Sequence, residues 1–326
     1  MSGLHVGLTP WRSDAHGAAD PLAAQGERAE ALGFASFWLP ESHFGARGAL
    51  PQPLLLLAAV AARTRRLGLG TTSYLLPVRH PLQVAEDVAV LDRLSEGRVI
   101  LGVGRGFRPD LFAAFDVPLK EKRDRFQSAL EQMIRAWSGE PITTDGDGGE
   151  AVRLAPLPVQ RPHPPIWVAA FGPKAVEQAG RLGLPYLASP IESLEALVEN
   201  HARHRSVLSA EGRAAALAVP VMRTVFITKD DASATRVREA LAAQTAALAG
   251  SRAAAIRRSA QAEVVSFALV GSASEVADGV ARYREALGMT HLIARVQVPG
   301  AEPAEIEAAL EQLAELAATL RGPGRA

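Results

Sequence analysis

An α/β fold of the (β/α)8 barrel kind is what the sequence predicts, on three observations. Short apolar runs alternate with amphipathic helical stretches about eight times along the 326 residues. The short runs are apolar on both faces, as in parallel strands covered by helices on each side. No glycine-rich dinucleotide fingerprint follows the first strand, which leaves an open doubly wound sheet with little support.

The elements follow in order. Strands are predicted over 4–10, 35–40, 67–77, 98–104, 164–170, 184–189, 218–228 and 290–300. A helix over 19–34 closes on Gly33. The helix over 51–66 starts with proline and ends in arginines, as the helix dipole favours. In the helix over 80–97, Leu82, Ala85, Val88 and Leu91 share one face and Gly97 is the stop. Further helices are expected over 173–183, 192–212, an Ala-rich stretch from 230, 272–288 with a serine cap, and 302–320. The piece over 143–165 is long and irregular, and reads as an elaborated loop or small hairpin. One domain over 1–326 is therefore expected, with insertions near 143–165 and 229–268.

Composition removes several functions. The chain has no cysteine, so disulfides, iron–sulfur ligation, thiolate zinc sites and cysteine nucleophiles are excluded. Basic and acidic residues balance at 35 each, so no nucleic-acid or anionic-membrane partner is expected. No apolar run reaches the roughly 18 residues of a membrane span, and the N-terminus lacks a signal-peptide pattern. A cytoplasmic setting is the expectation.

In such a barrel the chemistry sits on the loops after the strands. Here those loops carry Thr9, Trp11 and Arg12, then Glu41, Ser42, His43 and Phe44. The next three offer Thr71 to Tyr74, Arg105 to Phe107, and Phe171 to Lys174. In "LGVGRGF" (101–107) an arginine stands between glycines at the mouth of an apolar run. Its charge needs a partner, either a bound anion or a carboxylate such as Asp110 or Asp116. In "AAFGPKAVEQ" small residues and a proline open a helix whose free N–H groups suit an anion. Together the two segments suggest a phosphate-bearing ligand. Glu41 and His43 are either an acid/base pair or a structural hydrogen bond. His80 precedes a helix and either caps it or faces the site, and His163 among prolines reads as a loop residue. His201 and His204 have metal-ligand spacing but no third ligand nearby, and both are expected on the surface.

Four segments resemble the bacterial luciferase-like flavin oxidoreductases. They are "FWLPESHFG", "LGLGTTSYLLPVRHPLQVAEDVAVLDRLSEGRVILGVGRGF", "PPIWVAAFGPKAVEQAGRLGLP" and "FALVGSASEVADGVARYREALGMTHLIARVQVPG". The resemblance implies a TIM barrel with insertions that binds reduced FMN or a deazaflavin. It maps the family's phosphate site onto Arg105 and onto Ala170, Phe171, Gly172, Pro173 and Lys174. It places Thr72, Ser73 and Gly104 at the ring, with a non-proline cis peptide at Thr72–Ser73. One position departs from the family: Ser42 stands where the luciferases have the first of two histidines. That counts against light-emitting oxidation of long-chain aldehydes and leaves His43, with Glu41 and Ser42, as the catalytic candidates. Glycine at 104 also replaces a luciferase cysteine.

The resemblance implies a monooxygenase that uses reduced FMN from a separate flavin reductase, with O2 added through a C4a-hydroperoxyflavin to a small organic substrate. Trp11, Tyr74, Phe107 and Trp167 are candidate pocket walls. The alternatives are a dehydrogenase or reductase using the deazaflavin F-420, with Arg12, Arg47 and Arg108 at its mouth, and a flavin-binding protein without turnover. No metal is expected. A homodimer packed through the helices at 51–66 and 80–97 is implied as well.

Overall fold

The computed structural model describes residues 3–12, 19–44, 49–143, 151–213, 217–247 and 263–321. Among them the strands are β1 (His5–Leu8), β2 (Ser36–Leu39), β3 (Gly68–Thr71), β4 (Tyr74–Leu75), β5 (Val99–Gly104), β6 (Ile166–Ala169), β7 (Tyr186–Leu187), β8 (Pro220–Ile227), β9 (Ala268–Gly271) and β10 (His291–Arg295). The helices are α1 (Ala19–Ala31), α2 (Pro53–Arg63), α3 (Pro81–Leu94), α4 (Pro109–Ala114), α5 (Lys122–Trp137), α6 (Pro173–Leu182), α7 (Leu194–Ala210), α8 (Asp231–Ala246), α9 (Ala273–Leu287) and α10 (Pro303–Leu320). All eight predicted strands are present, and the β/α order is that of the (β/α)8 barrel. The residues cluster into two compact units. Met1–Ser13, Arg28–Trp38 and Val168–Ala326 form the first, and Asp14–Glu27 with Leu39–Trp167 form the second.

In the first unit every pairing is parallel. β1 lies between β2 (Gly7↔Ser36) and β10 (His5↔His291), and β10 continues to β8 (His291↔Pro220). A bridge at Ala188↔Val221 joins β8 to the chain leaving β7, and β7 pairs with β6 (Val168↔Tyr186). β9 was not foreseen as a strand; it lies along the last half of β8, from Thr224↔Ala268 to Ile227↔Gly271. Gly7 is required because a Cβ there would overlap Ser36 Oγ and come within 2.7 Å of Trp38 Nε1. The Trp38 indole donates to Ser36 Oγ at 2.7 Å.

In the second unit, β3 pairs with β5 (Leu69↔Val99), and β4 continues along β5 (Tyr74↔Val103, Leu75↔Gly104). The strand expected over 67–77 is thus interrupted, and the peptide between Thr72 and Ser73 is cis, as the resemblance implies. Two helices after β5, α4 and α5, correspond to no predicted element. α5 buries Phe126, Ala129, Leu130, Met133, Ala136 and Trp137 along one face, and the Trp137 indole donates to Ala85 O at 3.0 Å.

The "LDRLSEGR" stretch is a pair of locks. Buried Asp92 accepts from the amides of Val159 (2.8 Å) and Gln160 (2.9 Å) and from the Gln160 side chain (2.7 Å). Arg98 donates to Ala61 O, Thr64 O, Thr64 Oγ1, Leu67 O and Ser95 O, clamping the end of α2. In the irregular piece over 143–165, an antiparallel bridge links Thr143 and Val152. Residues 144–150, and 248–262 in the second predicted insertion, lie outside the described residues.

His201 and His204 correct the expectation of a surface pair: both are buried. Leu197, His201, His204 and Leu208 fall at one helical stripe of α7 and form its buried face. His204 Nε2 bonds Leu184 O at 2.8 Å, and the His201 ring packs on Tyr186. No group of three or more metal-capable side chains occurs among the described residues. No helix there is long and apolar enough to cross a membrane.

Candidate active site

β2 ends at Leu39, and the chain then turns Glu41 inward until its side chain is wholly buried. Three groups meet that carboxylate. His43 Nε2 lies 2.6 Å from Oε1, Arg79 Nη1 donates to Oε1 at 2.7 Å, and the Leu75 amide donates to Oε2 at 3.0 Å. Arg79 also donates to Leu75 O (3.0 Å) and Pro51 O (3.2 Å), and its guanidinium sits 4.0 Å over the Tyr74 ring. A buried carboxylate held by a guanidinium and an imidazole is a compensated charge rather than an exposed one. Burial, more than the nearby charges, pushes the Tyr74 hydroxyl up to about 12, so Tyr74 stays a neutral phenol.

Glu41 and His43 are therefore brought together as expected. His43 is buried, with its ring edge-on to Phe115 at 5.1 Å and tilted against Phe44. Ser42 closes the loop onto Leu50: its oxygen accepts the Leu50 amide at 3.0 Å, and its own amide donates to Leu50 O at 3.1 Å. Arg79 escaped the sequence reading. Its one signal was an arginine four residues after a strand end, just before a helix-opening His–Pro.

Around β3 to β5, Thr72 Oγ1 is buried with no hydrogen-bond partner among the described residues. Gly104, opposite, leaves room for Ser73, since a Cβ at 104 would overlap Ser73 Oγ and lie 3.0 Å from Ser73 Cβ. Arg105 follows directly. Burial first, and Arg123 second, lower its pKa to about 10. Lys122 is lowered by burial and then by Arg105 and Arg123, and its ammonium donates to Gly106 O at 3.3 Å. Three cations thus crowd one place on the loop after β5 and the start of α5. Asp110, one carboxylate open to Arg105 from sequence, is instead ion-paired to Arg108. Lys122 and Arg123 had no sequence signal beyond a basic run in "KEKRDR".

In the first unit, the loop after β6 carries Ala170 to Lys174. Gly172 caps α6 with φ of +87°, a backbone region glycine favours, and Pro173 occupies the first turn. Ala170 is buried and Lys174 is exposed.

The Trp11 indole is buried edge-on against Phe37 and donates to Glu307 on α10 at 3.3 Å. Tyr74 and Trp167 are buried, whereas Phe107 is exposed. His80 caps α3, its Nδ1 accepting from the Leu82 amide. His163 bonds Pro164 O in its loop. Arg108 is committed to Asp110, and Arg47 lies outside the described residues.

A family model described as luciferase-like monooxygenase matches residues 5–291. Limonene 1,2-monooxygenase of Rhodococcus erythropolis is 32% identical over 200 residues, covering 59% of this chain and 52% of that protein. The chain spans about half the length of the curated relatives it matches. Among solved structures, monooxygenase RslO1 from Streptomyces bottropensis is 28% identical with a TM-score of 0.80, covering 96% of this chain and 98% of that one. The oxygenating constituent of 3,6-diketocamphane monooxygenase from Pseudomonas putida, in complex with FMN, has a TM-score of 0.79 at 22% identity, covering 99% and 100%. An F-420-dependent secondary alcohol dehydrogenase has a TM-score of 0.76 at 18% identity, covering 99% and 100%.

Proposed function

The chain belongs to the luciferase-like monooxygenase family and has its α/β TIM-barrel fold, and on that premise we propose that it uses reduced FMN and O2 to oxidise a small organic substrate. The observation that carries this reading is the cationic cluster of Arg105, Lys122 and Arg123, which fits the dianionic phosphate of a flavin mononucleotide. A second observation fits the ring. Thr72 Oγ1 is buried with no partner among the described residues, beside a Gly104 that lets Ser73 approach β5. The helix that opens at Gly172 and Pro173 is a further anion-binding element in its own unit.

Reduced FMN supplies the electron pair with which O2 is activated. The chain's own residues do the rest. Arg105 and its neighbours hold the phosphate. Glu41 fixes the His43 ring by its Nε2 and is itself fixed by Arg79, which leaves His43 Nδ1 as the atom that gives or takes a proton. Ser42 keeps a hydroxyl hydrogen to donate while its oxygen holds Leu50. A separate flavin reductase supplies the reduced cofactor in a cytoplasmic setting. Two copies pair through α2 and α3, where Leu55, Val90 and Leu94 are exposed; a monomeric mass in light scattering overturns that pairing.

A second reading, hydride transfer with the deazaflavin F-420, is supported by the dehydrogenase of the same fold. One experiment separates them. The protein is titrated anaerobically with reduced FMN, reduced riboflavin and reduced F-420, then mixed with oxygenated buffer. The expected result is FMN binding with a transient oxygenated flavin absorbance. Arg105→Ala then weakens FMN by about ten- to a hundredfold, the worth of a charged hydrogen bond of about 1.5–3 kcal/mol, and leaves riboflavin unchanged. F-420 binding without oxygen reactivity establishes the second reading. FMN binding with no oxygen chemistry establishes a carrier without turnover. Equal loss of riboflavin and FMN in Arg105→Ala overturns the phosphate assignment.

A further inference from the structure

β10 ends on an arginine. Arg295 pairs across to Thr224 of β8, two positions beyond the pair Ile293↔Met222. Side chains alternate along a strand and paired residues share a face. Arg295, Thr224, Ile293 and Met222 therefore share a face, which Ile293↔Gly7 and Gly7↔Ser36 extend to Ser36 and Trp38. The opposite face carries Leu8 and Phe37, and Phe37 meets Trp11, which bonds α10. Arg295 thus points away from the helix layer. It does so at the C-terminal end of a barrel strand, the end where ligands bind in this fold.

Arg295 is partly exposed, and no hydrogen bond or ion pair reaches its side chain among the described residues. Its pKa is lowered, and burial is the sole cause. The neighbouring strand shows what a structural arginine does here. Arg223 is fully buried and donates to Tyr283 Oη (2.8 Å), Ser189 O (2.8 Å), Met222 O (2.7 Å) and Glu192 O (2.8 Å). Arg295, partly exposed, has no such matched oxygens among the described residues, and it stands at the strand end where this fold binds ligands.

We propose that Arg295 is the anchor for a substrate carboxylate, so that the substrate class is an organic acid with an apolar body. This inference rests on the cofactor reading above, in which the phosphate belongs to Arg105, Lys122 and Arg123. It adds a second anion that this cluster does not serve. The planar guanidinium fork matches a carboxylate in a bidentate pair. The same-face neighbours Met222, Ile293 and Trp38 are apolar and suit the remainder of the molecule.

The test uses the full chain, as purified and saturated with FMN. Benzoate, phenylacetate and hexanoate are titrated against benzyl alcohol, phenylethanol and hexanol, by calorimetry and by thermal shift. Wild type is expected to prefer at least one acid over its alcohol by tenfold or more, with a rise in Tm. Arg295→Gln is expected to lose that preference, keep its FMN affinity, and unfold no earlier than wild type. Arg295→Lys is expected to retain part of the preference. Absence of any acid preference in wild type, or a preference kept in Arg295→Gln, overturns the proposal. So does a loss of FMN affinity in Arg295→Gln with acid binding unchanged, since the guanidinium then serves the cofactor. A fall in stability on substitution with no change in acid binding makes Arg295 structural and overturns it too. If wild type binds no FMN, the cofactor reading fails separately, and the same acid series on the FMN-free protein still decides the role of Arg295.

Discussion

Replacing Glu41 by glutamine tests whether the carboxylate organises the site. The change keeps volume and one carbonyl oxygen but removes the charge and adds an N–H2 group. Three groups now donate to this carboxylate or share its proton: His43 at 2.6 Å, Arg79 at 2.7 Å and the Leu75 amide at 3.0 Å. A glutamine oxygen can serve the Arg79 side or the Leu75 side. Its amide then faces a donor on the other, so at least one donor is stranded in a side chain that is 0% exposed. Arg79 is 12% exposed, so water does little to relieve its charge.

Breaking a buried ion pair by removing one partner costs about 3–5 kcal/mol. Arg79 keeps two carbonyl contacts and the Tyr74 face, which argues for the lower end, about 3 kcal/mol. Urea unfolding of Glu41→Gln at neutral pH should therefore show a lower midpoint at unchanged slope. A double-mutant cycle with Arg79→Met should give a coupling of about 2 kcal/mol, because the second change removes the charge that the first left bare. A loss below about 1 kcal/mol, or additivity within about 0.5 kcal/mol, refutes the reasoning, since distant independent sites behave that way. The carboxylate would then be no more than a neighbour of Arg79.

Two further predictions concern packing and pH. Gly104→Ala should cost about 1–3 kcal/mol, the usual price of overpacking, because its methyl group overlaps Ser73; Ser73→Gly in the same chain should restore most of the loss in urea unfolding, and a failure of that rescue places the strain elsewhere. His201 has a pKa lowered to about 3, by burial first and then by His204, Arg205 and Arg223. The unfolded chain protonates this histidine below pH 6.5 and the folded one does not, so its contribution is complete above pH 6.5 and is lost as pH falls toward 3. Between pH 7 and 5 that amounts to about 2 kcal/mol. His201→Phe should lose correspondingly less stability over the same interval, and an identical pH slope in the two proteins would show that His201 titrates normally.

The barrel was legible because its strands are short apolar runs that no amphipathic helix could supply, and because each is followed by a helix with its own start or stop. The segment over 67–107 was legible as a unit for a different reason. Its Asp92 and Arg98 bond main-chain groups of the segments on either side, so residues that bear the resemblance also hold the chain together. α5 was not read as a helix. Its apolar positions, Phe126, Leu130, Met133 and Trp137, have helical spacing but are diluted by charged residues in its first turns. His201 and His204 were misplaced because Arg203 and Arg205 flank them, although the spacing from Leu197 to Leu208 puts both histidines on the apolar stripe. Arg79 was missed because its importance lies in Glu41, 38 residues away.

The arginines of this chain separate structure from chemistry better than its histidines do. Arg98 and Arg223 have five and four donors matched to oxygens of the chain, and a guanidinium so satisfied has little left to offer a ligand. Arg79 spends its charge on Glu41 and thereby sets the His43 ring. Arg105 is held near other cations, and Arg295 meets no acid among the described residues. Folding alone does not favour like charges held close together, as around Arg105. A bound anion at each position would meet a guanidinium already in place. Met222 and Ile293 share the face of Arg295 in its strand ladder, and a substrate that brings its own carboxylate on an apolar body is the occupant that suits this surround.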